Sequence, residues 1–211
     1  MFLFLSAAQT RRRLPRLVLG LVLCGVGLSM LVQADLGLDP WDVLHQGVSD
    51  HTGIPIGTVS ILTGAVVLLS WIPLRERIGL GTMLNVVLIG LTMDATLSVL
   101  DEPRAMAARV VFLVAGTVSF ALGSGFYIGA GLGPGPRDGL MTSISHRGHS
   151  IRVVRTSIEV CVLAAGWALG GTVGVGTVVF ALSIGPLVHV FLPRLTIGHD
   201  TPEPETVIGA E

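Results

Sequence analysis

The sequence predicts an all-α, polytopic membrane protein. Its expected plan is six transmembrane helices in two inverted three-helix repeats, each with a Gly/Pro loop and a short half-helix. Three observations predict it. The 211-residue chain is 51% hydrophobic and only 13% charged, with mean hydropathy +0.78, where a soluble domain carries about 25% charged residues. Its apolar runs reach the length of about 20 residues that a bilayer span needs. The segment Leu36-Gly37-Leu38-Asp39-Pro40-Trp41-Asp42 recurs about a hundred residues on, as Leu132-Gly133-Pro134-Gly135-Pro136-Arg137-Asp138, and internal repeats define an architecture.

The first eight residues are apolar and are followed by Arg11-Arg12-Arg13. A signal peptide places its charges before the apolar core and ends in small residues at a cleavage site. Neither holds here, so residues 1–15 are expected to be a cytoplasmic segment and the run 16–34 an uncleaved first span. Residues 39–52 follow the Gly37/Pro40 loop as a mixed-polarity, helix-compatible stretch too short to span, either interfacial or re-entrant. Runs at 54–73 and 80–99 complete the first repeat, residues 16–100. The second repeat, residues 101–193, has runs at 106–130, 153–170 and 172–193. Its own short insert, 134–150, is opened by Gly133 and Pro136. Matches beyond the loop hold the register: Gly20 and Gly27 with Gly116 and Gly123, and Gly79-Leu80-Gly81-Thr82 with Gly174-Val175-Gly176-Thr177. The tail 194–211 lacks apolar periodicity, carries Pro202-Glu203-Pro204-Glu205 and reads as disordered.

Charge placement orients the chain. All 13 basic residues are Arg. Arg11, Arg12, Arg13, Arg16, Arg75, Arg77, Arg137, Arg147, Arg152, Arg155 and Arg194 fall on one side of a six-span topology. Arg104 and Arg109 fall on the other, among Asp35, Asp39, Asp42, Asp50, Asp101 and Glu102. The positive-inside rule then puts both termini in the cytoplasm. Each repeat holds an odd number of spans, so the second enters the membrane from the opposite side, a plan that recurs in secondary transporters. The net charge of −1 gives no reason to expect nucleic acid. Cys24 and Cys161 lie in apolar runs and read as small hydrophobes.

Several residues could carry chemistry. Asp42 and Asp138 hold the same place in the two copies, just after a Pro. They could cap the short helices, or face the two entrances and meet a cation or proton. Asp94 and its counterpart His189 lie inside apolar runs, where ionisable groups are costly and functional by default. They could meet near the pseudo-axis as a proton relay, or each could reach a helix end or a neighbouring hydroxyl. Arg152, Arg155 and Glu159 share a helix face, and Arg155 and Glu159 could pair at i, i+4. With Arg137, the two arginines could form a pocket for a carboxylate or phosphate, or serve as positive-inside anchors. Glycines recurring along the first and fourth spans read as helix-packing positions. His146 and His149, with His45 and His51 across the chain, are a weak metal signal, and neither a metal nor a cofactor is expected. Gly123-Ser124-Gly125 with His189 superficially resembles an intramembrane serine protease. Leu122 breaks that motif, however, and the repeat accounts for Gly123.

The segments Gly37 to Gly47, Thr52 to Thr58, Pro136 to Met141, Arg152 to Glu159 and Gly174 to Pro186 resemble the bacterial YczE/YyaS-type integral membrane proteins, often grouped with YitT. The resemblance runs over about residues 16–193. It implies a multi-pass protein of the bacterial plasma membrane and carries no substrate. The functional expectation is a transporter or exporter of a small solute whose partner is the lipid bilayer, with homo-oligomerisation left open. The alternative is a non-transporting accessory or scaffold for a partner system, and an enzyme is not expected.

Overall fold

The computed structural model describes residues 7–197, and among them every regular element is a helix. The order is α1 (Ala7–Ala34), α2 (Pro40–Thr52), α3 (Ile56–Leu74), α4 (Leu80–Leu97), α5 (Met106–Gly129), α6 (Pro136–Ser145), α7 (Ile151–Ala168) and α8 (Val175–Leu195). The long helices fall on the six apolar runs, and α2 and α6 on the two short inserts. Of these, five are long and apolar enough to cross a membrane: α1 from Gln9, α3, α4, α5 and α8. The exception is α7, because Arg152, Arg155 and Glu159 lie in its first half. The N-terminal boundary differs from the expected one. Helix α1 begins at Ala7 and runs through the three arginines and Pro15; arginine is a good helix former, and buried Arg13 is anchored by donating to the Ala130 carbonyl (3.3 Å). Residues 198–211, most of the expected disordered tail, and residues 1–6 lie outside the described residues.

Helices α1 and α5 cross at the centre on glycines. A Cβ on Gly20 would fall 2.6 Å from the Gly123 carbonyl oxygen, and one on Gly27 2.7 Å from that of Gly116. Small residues of this kind let helix backbones touch in lipid. Between these contacts, the Ser119 hydroxyl donates to the Leu23 carbonyl (2.9 Å), and the Cys24 thiol lies 3.7 Å from the Phe120 carbonyl. Leu23 and Ser119 are matched positions of the repeat, as are Cys24 and Phe120.

Each half clasps the other. The Gly37 loop docks on the start of α8, with Gly176 N–H donating to Leu36 O (2.7 Å). The Gly133 loop docks on the start of α4, with Gly81 N–H donating to Leu132 O (2.9 Å). Gly37 and Gly133 have φ of +113° and +128°, which only glycine adopts freely. Counterpart positions share left-handed backbone throughout: Asp35 with Gly131, Gly37 with Gly133, Gly53 with Gly148, and Arg75 with Gly170. Each short helix packs on both α3 and α7: α2 chiefly on α7, where Gly166 leaves room for the Val43–Leu44 backbone, and α6 on α3, where Gly139 lies under Trp71, and on α7.

Candidate functional site

The two short helices begin at the same place in the molecule. Pro40 opens α2 at a position where its missing N–H costs nothing, and the Asp39 side chain caps it by accepting from the Asp42 N–H (2.8 Å). Pro136 opens α6 in the same way after Gly135. The next residues, Trp41 and Arg137, are repeat counterparts and touch. The Arg137 guanidinium lies 4.9 Å from the Trp41 ring centroid, 3.3 Å from Asp39 Oδ2 and 3.9 Å from Asp42 Oδ1. One turn on, His45 Nδ1 meets Asp42 Oδ1 at 2.8 Å. On the other side Asp138 accepts from the Tyr127 hydroxyl of α5 (2.8 Å).

This junction floors a cavity of about 590 Å³, within the usual range for small-molecule sites. Its walls come from both halves: Ser60, Thr63, Gly64 and Asn85 on α3 and α4, and Arg155, Glu159, Gly185 and His189 on α7 and α8. Phe120, Tyr127 and Phe180 add aromatic surface. On the α3–α4 side the wall is shut. Gly57 and Gly90 touch through their backbones, Gly64 lies against Val86, and Asp94 accepts from Gly57 N–H and the Thr58 hydroxyl, both at 2.7 Å. On the α7–α8 side the helices barely meet. Gly185 has nothing within 4 Å of its would-be Cβ, and Arg155, Gly185 and His189 are exposed.

Burial governs the charges at the floor. It pushes the Asp39 carboxyl up to about 7, with Asp42 adding to the rise and Arg137 opposing it. It raises Asp42 too, against Arg137 and the hydrogen bond from Asp39. It lowers His45 to about 3, helped by the Arg137 charge. His45 is therefore neutral at physiological pH. Trp41 Nε1, Asp42 Oδ2 and His45 Nε2 are buried without a hydrogen-bond partner, a costly arrangement for polar atoms.

The structure brings Arg137, Asp138, Arg155, Glu159 and His189 to one cavity, with Asp42 directly behind its floor. Arg155 Nε donates to Glu159 Oε1 at 2.9 Å, the expected i, i+4 pair. Arg152 stays apart on an exposed patch with Val153, Thr156 and Ser157, so only two of the three arginines share a pocket. Asp94 and His189 do not join; Asp94 is held by the Gly57 amide and a neighbouring hydroxyl. Neither Asp42 nor Asp138 caps its helix through its side chain: Asp39 has that role on α2, and α6 has no side-chain cap. Ser124 lies 3.9 Å from the Cys24 thiol, and no hydrogen bond links it to His189. His51 bonds the Gly47 carbonyl, while His146 and His149 sit exposed after α6. Sequence reasoning missed Asp39, Trp41 and Tyr127 as site residues, and took His45 only as part of a weak metal signal. Two signals were available: Asp39 precedes a helix-opening Pro, and His45 lies one turn after Asp42.

Comparison with known proteins gives the family. A family of unknown function (DUF6198) matches residues 11–193, and the chain belongs to it. A Haemophilus influenzae protein named only "Uncharacterized protein" is 44% identical, over 83% of this chain and 81% of its own. The Bacillus subtilis "Uncharacterized membrane protein YczE" is 33% identical over 83% of each chain. "Uncharacterized protein YyaS" of the same organism is 25% identical over 83% of this chain and 90% of its own. No solved structure matches. The chain is thus a membrane protein of the YczE/YyaS type.

Proposed function

We propose that this member of the DUF6198 family moves a small solute across the bacterial plasma membrane. The observation that carries the reading is the central cavity, shut along α3–α4 and open along α7–α8. A chamber with charged and polar groups on a largely apolar wall, closed to one side and reachable from the other, fits a carrier. In this reading α7 is the sixth span, with Arg155 and Glu159 on the chamber wall and Arg152 on a separate exposed patch, and both termini are cytoplasmic. The halves are inverted repeats; the matched contacts Leu23–Ser119 and Trp41–Arg137 support a pseudo-two-fold between them. The arginine-rich ends of α7 and α8 then make the open side cytoplasmic.

Two measurements test this. Single cysteines at Asp50 and Gly148, both exposed, are introduced without Cys24 and Cys161 and labelled in intact cells with an impermeant reagent. Position 50 is expected to react from outside and position 148 only after permeabilisation. Labelling of both from one side sinks the inverted plan. Uptake by proteoliposomes of small cations, anions, zwitterions and neutral solutes tests transport itself, and the reading falls if none moves above empty vesicles.

A further inference from the structure

We propose that the cavity binds a small organic cation, an amine or guanidinium compound, with Asp138 as its counter-charge and aromatic rings around its body. The proposal rests on the cavity being a solute site and names the class of solute.

The cations on the cavity wall are already engaged. Arg137 is held by Asp39, Asp42 and the Trp41 face, and Arg155 is paired with Glu159. Among the described residues Asp138 has no cationic partner, and its one side-chain bond there comes from the Tyr127 hydroxyl. The helix starts beside it do not turn the site towards anions. The helix starts supply only roughly +0.5 each, and the Arg137 charge is already engaged by Asp39, Asp42 and the Trp41 face, which leaves Asp138 on the cavity wall with the Tyr127 hydroxyl as its partner. The Asp39 cap also takes up a donor at the α2 start.

The same junction already accommodates a cation. The Arg137 guanidinium sits over an indole with carboxylates at its edge, the arrangement by which proteins recognise ammonium and guanidinium groups. The cavity wall carries the rings of Phe120, Tyr127 and Phe180, and beside Asp138 Gly135 leaves space. A Cβ on Gly135 would lie 3.3–3.5 Å from Tyr127 Oη, Asn85 Nδ2 and Asp138 Oδ2, so these three polar groups converge on one point. Burial holds protons on Asp39 and Asp42 more tightly than usual. An arriving cation favours their release, so uptake of the ligand is linked to loss of protons.

The test uses the full chain in a neutral detergent, with phenethylammonium and phenylacetate, which match in size and differ in charge. Phenethylammonium is expected to raise the melting temperature of the wild type, and phenylacetate to leave it unchanged. Asp138→Asn, which keeps the side-chain shape and the Tyr127 contact, is expected to abolish the shift. Stabilisation by phenylacetate, an equal shift in Asp138→Asn, or no shift with phenethylammonium would each overturn the proposal. Should Asp138→Asn fail to fold, Glu159→Gln serves as comparison: Glu159 is already paired with Arg155, so its loss leaves the phenethylammonium shift in place. Abolition of the shift there would show that Glu159 rather than Asp138 holds the charge. Cation binding without flux in vesicles would sink transport alone, and flux of an anion without cation binding would sink this proposal alone.

Discussion

The α3–α4 and α7–α8 seams are built on the same plan and end differently. Gly57 and Gly90 bring α3 and α4 together; a Cβ on Gly57 would fall 2.1 Å from the Gly90 carbonyl oxygen. The counterpart pair is Arg152 and Gly185. A side chain at 152 forbids that backbone contact, and the second seam stands open. Likewise Gly64, tucked against Val86, is replaced by Glu159 on the cavity wall, and Asp94, bonded across its seam, by exposed His189. The asymmetry is therefore encoded in side chains. Closure of the second seam cannot mirror the first.

The strongest way to break this comparison is Gly57→Leu. The new side chain collides with backbone and with Asp94, so α3 and α4 must part. Overpacking of this kind costs typically 1–3 kcal/mol, occasionally more, and about 3 kcal/mol is expected here because the obstacle is backbone. Gly185→Ala meets nothing and should cost no stability, or add up to about 1 kcal/mol as the better helix former. Melting in detergent checks both. If the two variants melt alike, the glycine contact is not what shuts the first seam.

Asp94→Ala comes next. It strands the Gly57 amide and the Thr58 hydroxyl, which Asp94 bonds at 2.7 Å. Losing hydrogen bonds to a charged group costs about 1.5–3 kcal/mol. His189→Ala, at the matched position, removes no bond across its seam and should stay within about 0.5 kcal/mol. Equal losses at the two positions would mean that His189 has a structural role the geometry does not give it.

The half-helices differ too, and pH sharpens that difference. His45 on α2 stands where α6 has Met141. Asp39 is raised to about 7, so the folded chain binds its proton more tightly than the unfolded chain, and stability falls as pH rises from about 4 to 7. Asp42, raised in the same direction, adds to the fall. His45 is lowered to about 3, so the unfolded chain binds the extra proton, and stability rises over about pH 3–6.5. The terms oppose each other between about pH 4 and 6.5. Asp39→Asn should therefore tilt the profile upward with pH, and His45→Gln downward, each by up to about 1.4 kcal/mol per pH unit. Chemical unfolding at several pH values reads the slopes. Identical slopes in the two variants would remove the charge assignment at the α2 start.

Much of this was legible in the sequence. The Gly37/Pro40 and Gly133/Pro136 loops announced both short helices, because Pro opens a helix and Gly supplies positive φ. The Arg155–Glu159 pair followed from helical spacing. Of the two readings open for Asp94 and His189, a meeting or a local partner for each, Asp94 follows the second. Matched residues of the sequence repeat need not touch; Trp41 and Arg137 do. Asp94 instead finds Gly57 and Thr58 across α3–α4, a pairing that the spacing of the repeat does not encode. Tyr127 was hidden similarly: its bond to Asp138 depends on how α5 leads into the Gly133 loop, and no spacing rule encodes that.

A further substitution, with a small expected effect on stability, is the most informative about the comparison. Arg152 is exposed and makes no ion pair across the seam. Arg152→Gly should therefore cost about 1 kcal/mol at most, the propensity penalty of a helical glycine. It does restore the small residue that α3 carries at Gly57. If the bulk of residue 152 keeps the seam open, the variant lets α7 approach α8 at Gly185. A cysteine placed at Gly185, in a chain without Cys24 and Cys161, should then label several-fold more slowly than with Arg152 present. Arg152→Leu, neutral but bulky, should leave labelling fast. Slow labelling in both variants would trace the opening to charge rather than size, and fast labelling in both would show that α7 is held away from α8 by its packing on α2.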